Sequence, residues 1–140
     1  MAKFLTLNTH SWMEEEQETK LNQLAERILQ EKYDVICLQE VNQLTESEQV
    51  VQAPFYQAVE GAIAIHQDHF ALCLVEKLAE AGLDYHWSWA YNHIGFDIYN
   101  EGVAILSRNP MAPREVLVSE ANDPKDYHTR KVLLAETEVE

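Results

Sequence analysis

Two polar residues, each placed at the end of an apolar, strand-like run, are the strongest candidates for chemistry in this sequence. Asn8 follows the run KFLTL, and Glu40 closes the run DVICLQE. An amide and a carboxylate offer hard oxygen atoms, the donors that a divalent ion such as magnesium takes in proteins. The alternative is that Asn8 only starts a turn and that Glu40 only ends a strand in solvent. A functional pair requires that the fold bring the two side chains together.

The six histidines suggest a second chemistry, which is zinc binding. His66 and His69 are three residues apart, a spacing found in metal sites. The candidates that could complete a tetrahedral set are His86, His93 and His128, and they lie in segments without ligand spacing. We therefore favour the Asn8 and Glu40 pair over a zinc site.

The meeting of Asn8 and Glu40 depends on the element between them. Apolar residues recur there at helical spacing and predict a helix that ends near Lys32, namely Leu21, Leu24, Ala25, Ile28 and Leu29. The order strand, helix, strand predicts a βαβ unit whose two strands are parallel and adjacent or near neighbours. The carboxyl ends of such strands share one edge of the sheet, where open α/β sheets place their ligand sites. The two side chains are therefore expected to meet at that edge.

The rest of the chain continues to alternate between extended and helical patterns. We predict an acidic loop that includes residues 14–16, a loop with some helix at 42–65, a helix with Asp68 as its N-cap and Gly82 at its end, an aromatic strand at 85–91, a polar connection at 92–100, a strand at 101–108, a short edge strand at 116–118 and a last strand at 131–140. The sequence stops without a turn or capping signal, which indicates a boundary within a longer protein.

The composition restricts the class of partner. The net charge is −14, with 24 acidic against 10 basic residues, which disfavours tight non-specific binding to nucleic acid. A nuclease is not excluded, because metal ions can supply positive charge locally. No apolar run is long enough for a membrane span or a secretory signal, so we expect a cytoplasmic protein. Cys37 and Cys73 lie inside apolar runs and are predicted to be packing residues.

Four motifs occur along the chain in the order LNTHSW, ICLQEV, GVAILSRNP and TRKVLLAE. Together they resemble the first half of the endonuclease/exonuclease/phosphatase superfamily, which includes deoxyribonucleases, abasic-site endonucleases, neutral sphingomyelinases and inositol-phosphate phosphatases. The resemblance spans most of the chain. It implies an α/β fold that is half of a four-layer α/β sandwich, a mixed sheet with two or more helices on one face. Residues 1–140 are then the amino-terminal half of one domain, with the carboxyl-terminal half absent.

The resemblance also implies roles for individual residues. Glu40 would be a catalytic residue and a ligand of Mg²⁺, with Mn²⁺ as an alternative, and Asn8 would sit beside it at the metal. Glu101 resembles a carboxylate that orients a catalytic histidine from beyond residue 140, and Arg130 resembles an arginine that contacts phosphate. The alternatives are that Glu101 lies in an exposed loop and that Arg130 is only solvated.

The implied function is that of a metal-dependent phosphoesterase, in which water attacks a phosphodiester or phosphomonoester. The family's Asp-x-Asn pair and its terminal Ser-Asp-His element are missing from the sequence, so we expect the chain alone to be incomplete. Its partners would be a phosphoester substrate and either its own second half or another copy, through an apolar sheet face. The alternatives are a nuclease that acts on DNA and a non-catalytic interaction domain with the same fold.

Overall fold

The chain combines a mixed sheet, two helices and a β-hairpin. The computed structural model describes residues 1–13 and 15–139. The strands are β1 (Phe4–Asn8), β2 (Val35–Leu44), β3 (His86–Gly95), β4 (Tyr99–Ser107), β5 (Met111–Leu117) and β6 (Lys131–Thr137), and the helices are α1 (Gln17–Glu31) and α2 (Phe70–Glu80). No helix in the described residues is long and apolar enough to span a membrane. The predictions for Glu14, in the acidic loop, and for Glu140, at the end of the last strand, lie outside the described residues.

The main sheet has four strands in the order β1-β2-β4-β3. β1 and β2 are parallel neighbours joined through α1, with Asn8 in register with Gln39. β4 runs antiparallel to both β2 and β3. β5 and β6 form a separate antiparallel pair. The predicted βαβ unit and the mixed α/β half-domain are confirmed.

Both helices cover one face of this sheet, because each carries an apolar stripe at helical spacing. The core combines residues of α1 and α2 with residues of the sheet, including Leu21, Ala25, Ile28, Phe70, Leu74, Leu78, Ile36, Leu38, Trp87, Trp89 and Leu106. The aromatic strand segment at 85–91 alternates as predicted, with Tyr85, Trp87 and Trp89 fully buried. Each buried Leu, Ile or Phe side chain stabilises the fold by about 1.5–3 kcal/mol, so this face holds most of the apolar stabilisation.

The opposite face of the main sheet is only partly covered. Phe4 and Thr6 share this face with Cys37 and Gln39, since the Gln39 amide donates to Thr6 Oγ1 at 3.0 Å. Phe4 is 65% exposed, and Cys37 and Ile105 are half-buried. The β5–β6 hairpin packs across β3 and β4 and leaves the β1 side of this face in water. Apolar side chains of this face are therefore only partly buried by the described residues.

The polar connection predicted at residues 92–100 is wrong, because β3 and β4 both extend into it and form a tight hairpin. Phe96 and Asp97 occupy its turn with φ angles of 51° and 63°. The Ile98 N–H closes the turn on the Gly95 carbonyl oxygen at 3.2 Å. Two consecutive left-handed residues match the twist of antiparallel strands, as in type I′ turns, even where the residues are not glycine.

The N-cap of α2 is His69 and not Asp68, which corrects the prediction. His69 Nδ1 accepts from the backbone N–H groups of Ala71 and Leu72 at 3.2 and 3.4 Å. Asp68 instead accepts from the Leu44 N–H at 2.8 Å and ties β2 to the start of the helix. An imidazole with an unprotonated nitrogen performs the same capping function as a carboxylate.

The buried His69 predicts a pH dependence of stability. Burial, and to a smaller extent the neighbouring His66, lower the pKa of His69 from 6.5 to about 3. In this pH range His69 is protonated in the unfolded chain but not in the folded chain. The free energy of unfolding therefore falls by about 1.4 kcal/mol per pH unit as the pH drops from about 6.5 towards about 3. His69→Asn keeps a capping oxygen and removes the titrating group.

Urea unfolding of both proteins from about pH 6.5 down to about pH 5 measures this effect. The wild type is expected to lose about 2 kcal/mol more than His69→Asn over that range. Because all other titrating groups are shared by the two proteins, parallel stability curves would show that His69 does not take up a proton on unfolding.

Candidate functional site

Asn8 and Glu40 meet at the carboxyl edge of the sheet, as expected from the βαβ order. The Asn8 Nδ2 group donates to Glu40 Oε2, and Asn8 Oδ1 accepts from the backbone N–H of His10 at 3.1 Å. Asn8 is exposed and Glu40 is half-buried. Both side chains are therefore accessible to a ligand, and the Asn8 amide holds one oxygen of the carboxylate in place.

Glu40 is presented by an irregularity within β2 and not by the end of the strand. The register between β2 and β4 shifts between Leu38 and Val41, and Glu40 has a φ of 54°. Thr9 holds this bulge, since its Oγ1 donates to the carbonyl oxygens of Gln39 and Glu40 at 3.1 and 3.0 Å. The prediction that Glu40 ends its strand is wrong. A bulge interrupts the regular alternation of side chains along a strand and can thereby direct one side chain towards a site.

A second bulge lies in β3, and Gly102 of β4 sits between the two. The β3–β4 register shifts at Asn92, whose Oδ1 accepts from the Lys131 N–H at 2.7 Å. An added Cβ at Gly102 would lie 2.0 Å from the carbonyl oxygen of Ala90 and 2.8 Å from Trp89 Nε1. A side chain therefore cannot be added there unless the backbone of β3 moves away.

Glu101 pairs with a histidine of the neighbouring strand. His93 stands opposite Glu101 in register, and its Nε2 lies 3.4 Å from Glu101 Oε2. On the other side of the ring, Arg130 Nη1 lies 3.0 Å from His93 Nδ1. His93 is buried, Glu101 is half-buried and Arg130 is exposed. The side chain of Glu101 is thus not in an exposed loop, and Arg130 is bound to protein atoms.

The electrostatics place the three predicted catalytic residues in one neighbourhood. Burial raises the pKa of Glu101 above its ordinary value; interaction with His93 lowers it, the negative charge of Glu40 raises it and Arg130 lowers it. By strand alternation, Glu101 also projects from the same face as Val103 and Ile105. The group therefore opens onto the sheet face that is only partly covered.

Sequence reasoning missed two histidines of this neighbourhood. His10 Nδ1 lies 3.6 Å from Glu40 Oε1, and His10 has a φ of 54° in the segment that leaves β1. His93 was considered only as a candidate zinc ligand. The hairpin pairing that places His93 opposite Glu101 would have revealed it, but that pairing requires the tight turn that the sequence pattern did not predict.

The residues present fit part of a site for a hard divalent ion. In residues 1–13 and 15–139, no three His, Cys, Asp or Glu side chains are grouped so that they could hold a metal. Glu40 nevertheless offers an accessible carboxylate, and Mg²⁺ commonly takes one or two carboxylates and completes its shell with water. The Glu40 carboxylate is thus a donor that could form part of such a site, although the described residues do not complete one.

The two histidines with zinc-like spacing, His66 and His69, contact backbone groups through their ring nitrogens. His66 Nδ1 lies 2.8 Å from the carbonyl oxygen of Leu44 and 3.1 Å from Ser47 Oγ. His69 caps α2 and packs between Trp87 and Trp89. Both rings therefore have structural contacts, and in the described residues only His69 Nε2 is buried without a hydrogen-bond partner among the ring nitrogens of the two.

Comparison with known proteins places this geometry in context. Residues 12–140 match the sequence profile of the Endonuclease/Exonuclease/phosphatase family. The chain is similar to the solved structure of an endonuclease/exonuclease/phosphatase family protein from Leptotrichia buccalis C-1013-b, with 33% identity and a TM-score of 0.86, over 100% of this chain and 50% of that chain. A structure of an endonuclease/exonuclease/phosphatase from Beutenbergia cavernae DSM 12333 shares the fold, with 18% identity and a TM-score of 0.57, over 96% of this chain and 34% of that chain. No curated protein matches. The chain thus spans about half the length of the first structure.

Proposed function

Because the chain belongs to the endonuclease/exonuclease/phosphatase family, we propose that it forms the amino-terminal half of a magnesium-dependent enzyme that hydrolyses a phosphodiester or phosphomonoester. The observation that carries this proposal is the contact between Asn8 and Glu40 at the carboxyl edge of the sheet. The pair is accessible, and its carboxylate is a donor that suits a hard ion. The bulge in β2 at Glu40 supports the proposal, because bulges often direct a side chain towards a functional site.

In this proposal Glu40 holds Mg²⁺, or Mn²⁺, and Asn8 fixes the orientation of the Glu40 carboxylate. The bound ion would supply Lewis-acid polarisation of a phosphoryl oxygen. The hydrogen bond from Asn8 engages Glu40 Oε2, while Oε1 lies 3.6 Å from His10 Nδ1. Preorientation of a metal ligand by a neighbouring hydrogen bond strengthens metal binding.

Arg130 is proposed to contact a phosphate oxygen of the substrate. The hydrogen bonds of its side chain to described residues all use Nη1, with acceptors on His93, Tyr127 and Thr129. The remaining edge of the planar guanidinium can therefore donate to an oxyanion without breaking these contacts. Glu101 is proposed to orient a histidine supplied by the remainder of the protein, which would also supply the base that activates water.

We further propose that the remainder of the protein packs on the partly covered sheet face. This face carries Phe4, Cys37 and Ile105, and Glu101 projects from it. The half-length coverage of the Leptotrichia buccalis chain supports this arrangement. The active site would then lie between the two halves, so the chain alone is expected to be inactive.

The substrate proposed here is a phosphoester other than duplex DNA. This half has 24 acidic and only 10 basic residues, so it has few positive charges that could neutralise a phosphate backbone. A DNA substrate would require positive charge from metal ions or from the second half. A small phosphate ester or a lipid phosphodiester requires only the local contacts of Arg130 and the metal.

An assay panel on the complete protein tests this proposal. Plasmid DNA, sphingomyelin vesicles and sugar phosphates would be compared, each with Mg²⁺ and with excess chelator. We expect chelator-sensitive release of product from one of the last two substrates, with little dependence on salt. Cleavage of plasmid that weakens steeply with salt would instead identify a nuclease, and no turnover of any of the three would favour a non-catalytic domain.

A further inference from the structure

His93 is a buried polar side chain next to the site, and none of the roles described so far uses it. It lies on β3, is 5% exposed and stands between Glu101 and Arg130. A buried imidazole costs free energy unless its nitrogens find partners. Here each nitrogen faces one of the two charged side chains that are proposed to act at the site.

The contacts determine which nitrogen of His93 carries the proton. Arg130 Nη1 shares its two N–H groups among three acceptors, which are the carbonyl oxygens of Tyr127 and Thr129 and His93 Nδ1 at 3.0 Å. Because an arginine can only donate hydrogen bonds, Nδ1 is the acceptor in its contact with Nη1. In the neutral ring the proton then lies on Nε2, which faces Glu101 Oε2 at 3.4 Å. The competing tautomer would place the proton on Nδ1, directed at the Thr129 carbonyl oxygen at 3.4 Å, and would lose the bond from Arg130.

We propose that His93, as the Nε2–H tautomer, is a positioning residue that links Glu101 to Arg130 and holds both side chains at the site. The inference deepens the proposed function and rests on it for its kinetic consequences. One imidazole then sets the distance between an acidic group on β4 and a basic group that directly precedes β6. The tight β3–β4 hairpin and the bulge at Asn92 are the backbone features that bring His93 opposite Glu101.

The link has a consequence for the Glu101 carboxylate. His93 occupies Oε2, so a histidine supplied by the remainder of the protein would bind at Oε1. Oε1 lies next to Gly95, where an added Cβ would stand 3.5 Å from it. Glu101 would in this way orient two imidazoles, one with each oxygen.

Spectroscopy of the imidazole nitrogens tests the link in the complete protein, independently of turnover. Long-range ¹H–¹⁵N spectra are expected to show His93 protonated at Nε2 and not at Nδ1. In Arg130→Ala the Nδ1 nitrogen loses its donor, and a population protonated at Nδ1 is expected to appear. In Glu40→Gln the spectrum of His93 is expected to stay unchanged, so this measurement remains decisive even if the protein hydrolyses no phosphoester.

Kinetics supply the second arm of the test. His93→Phe keeps the ring volume but cannot link the two side chains, and it is expected to lower kcat by about 10- to 100-fold and to raise KM. His93→Gln offers both a donor and an acceptor, and it is expected to recover most of that loss. His86→Phe, at the far end of the same strand, is the control and is expected to leave kcat unchanged. A wild-type His93 protonated at Nδ1, or a His93→Phe enzyme as active as the wild type, would overturn the inference.

Discussion

Glu40→Gln is expected to lower magnesium-dependent turnover of the complete protein by about 10²- to 10³-fold while the protein stays folded. The substitution removes the negative charge that is proposed to bind the ion but keeps the size and one oxygen of the side chain. Glu40 is half-buried and its contacts are polar, so the core is unaffected. Steady-state kinetics at saturating Mg²⁺ measures the effect, and thermal unfolding verifies the fold.

Glu26→Gln is the matched control for this substitution. Glu26 lies on the exposed side of α1, away from the site, and its replacement changes the net charge by the same amount. We expect its turnover to equal that of the wild type. If Glu40→Gln and Glu26→Gln have the same activity, Glu40 does not take part in catalysis.

Gly102→Ala is expected to destabilise the protein by about 3 kcal/mol or more. The new Cβ would stand 2.0 Å from the Ala90 carbonyl oxygen, which is backbone and cannot rotate away. β3 would have to separate from β4 where the Trp89 indole donates to the Val41 carbonyl oxygen at 3.1 Å. Urea unfolding measures the loss.

Gly95→Ala is the control in the same hairpin. An added Cβ there meets the Glu101 side chain at 3.5 Å, an ordinary van der Waals contact, and Gly95 has no left-handed φ. Its effect on the free energy of unfolding is expected to be smaller than about 1 kcal/mol. Equal losses in the two variants would mean that the strands tolerate a shift at Gly102.

The main outline of the fold and the central pair of the site could be predicted from the sequence. The apolar stripe of α1 between two strand patterns determines a parallel βαβ unit, and parallel strands bring Asn8 and Glu40 to one edge. The aromatic alternation at residues 85–91 predicts the face of β3 that packs in the core with the two helices, where Trp87 and Trp89 are fully buried. These features follow from periodicity, which the sequence displays directly.

Backbone irregularities account for most of what could not be predicted. The bulges at Glu40 and Asn92 and the left-handed turn at Phe96 and Asp97 have no periodic signal, because they interrupt the period. They determine that Glu40 projects from the middle of β2 and that His93 faces Glu101. The assignment of the α2 cap to His69 depends on its burial between two tryptophans, which only the tertiary packing determines.

The position of a bound divalent ion tests the central claim most directly. Crystals of the complete protein grown with Mn²⁺ would be measured at wavelengths where manganese scatters anomalously. We predict an anomalous peak at about 2 Å from a carboxylate oxygen of Glu40, and no peak there in Glu40→Gln. An ordered ion bound elsewhere, with the Glu40 carboxylate in contact only with Asn8 and water, would contradict the account.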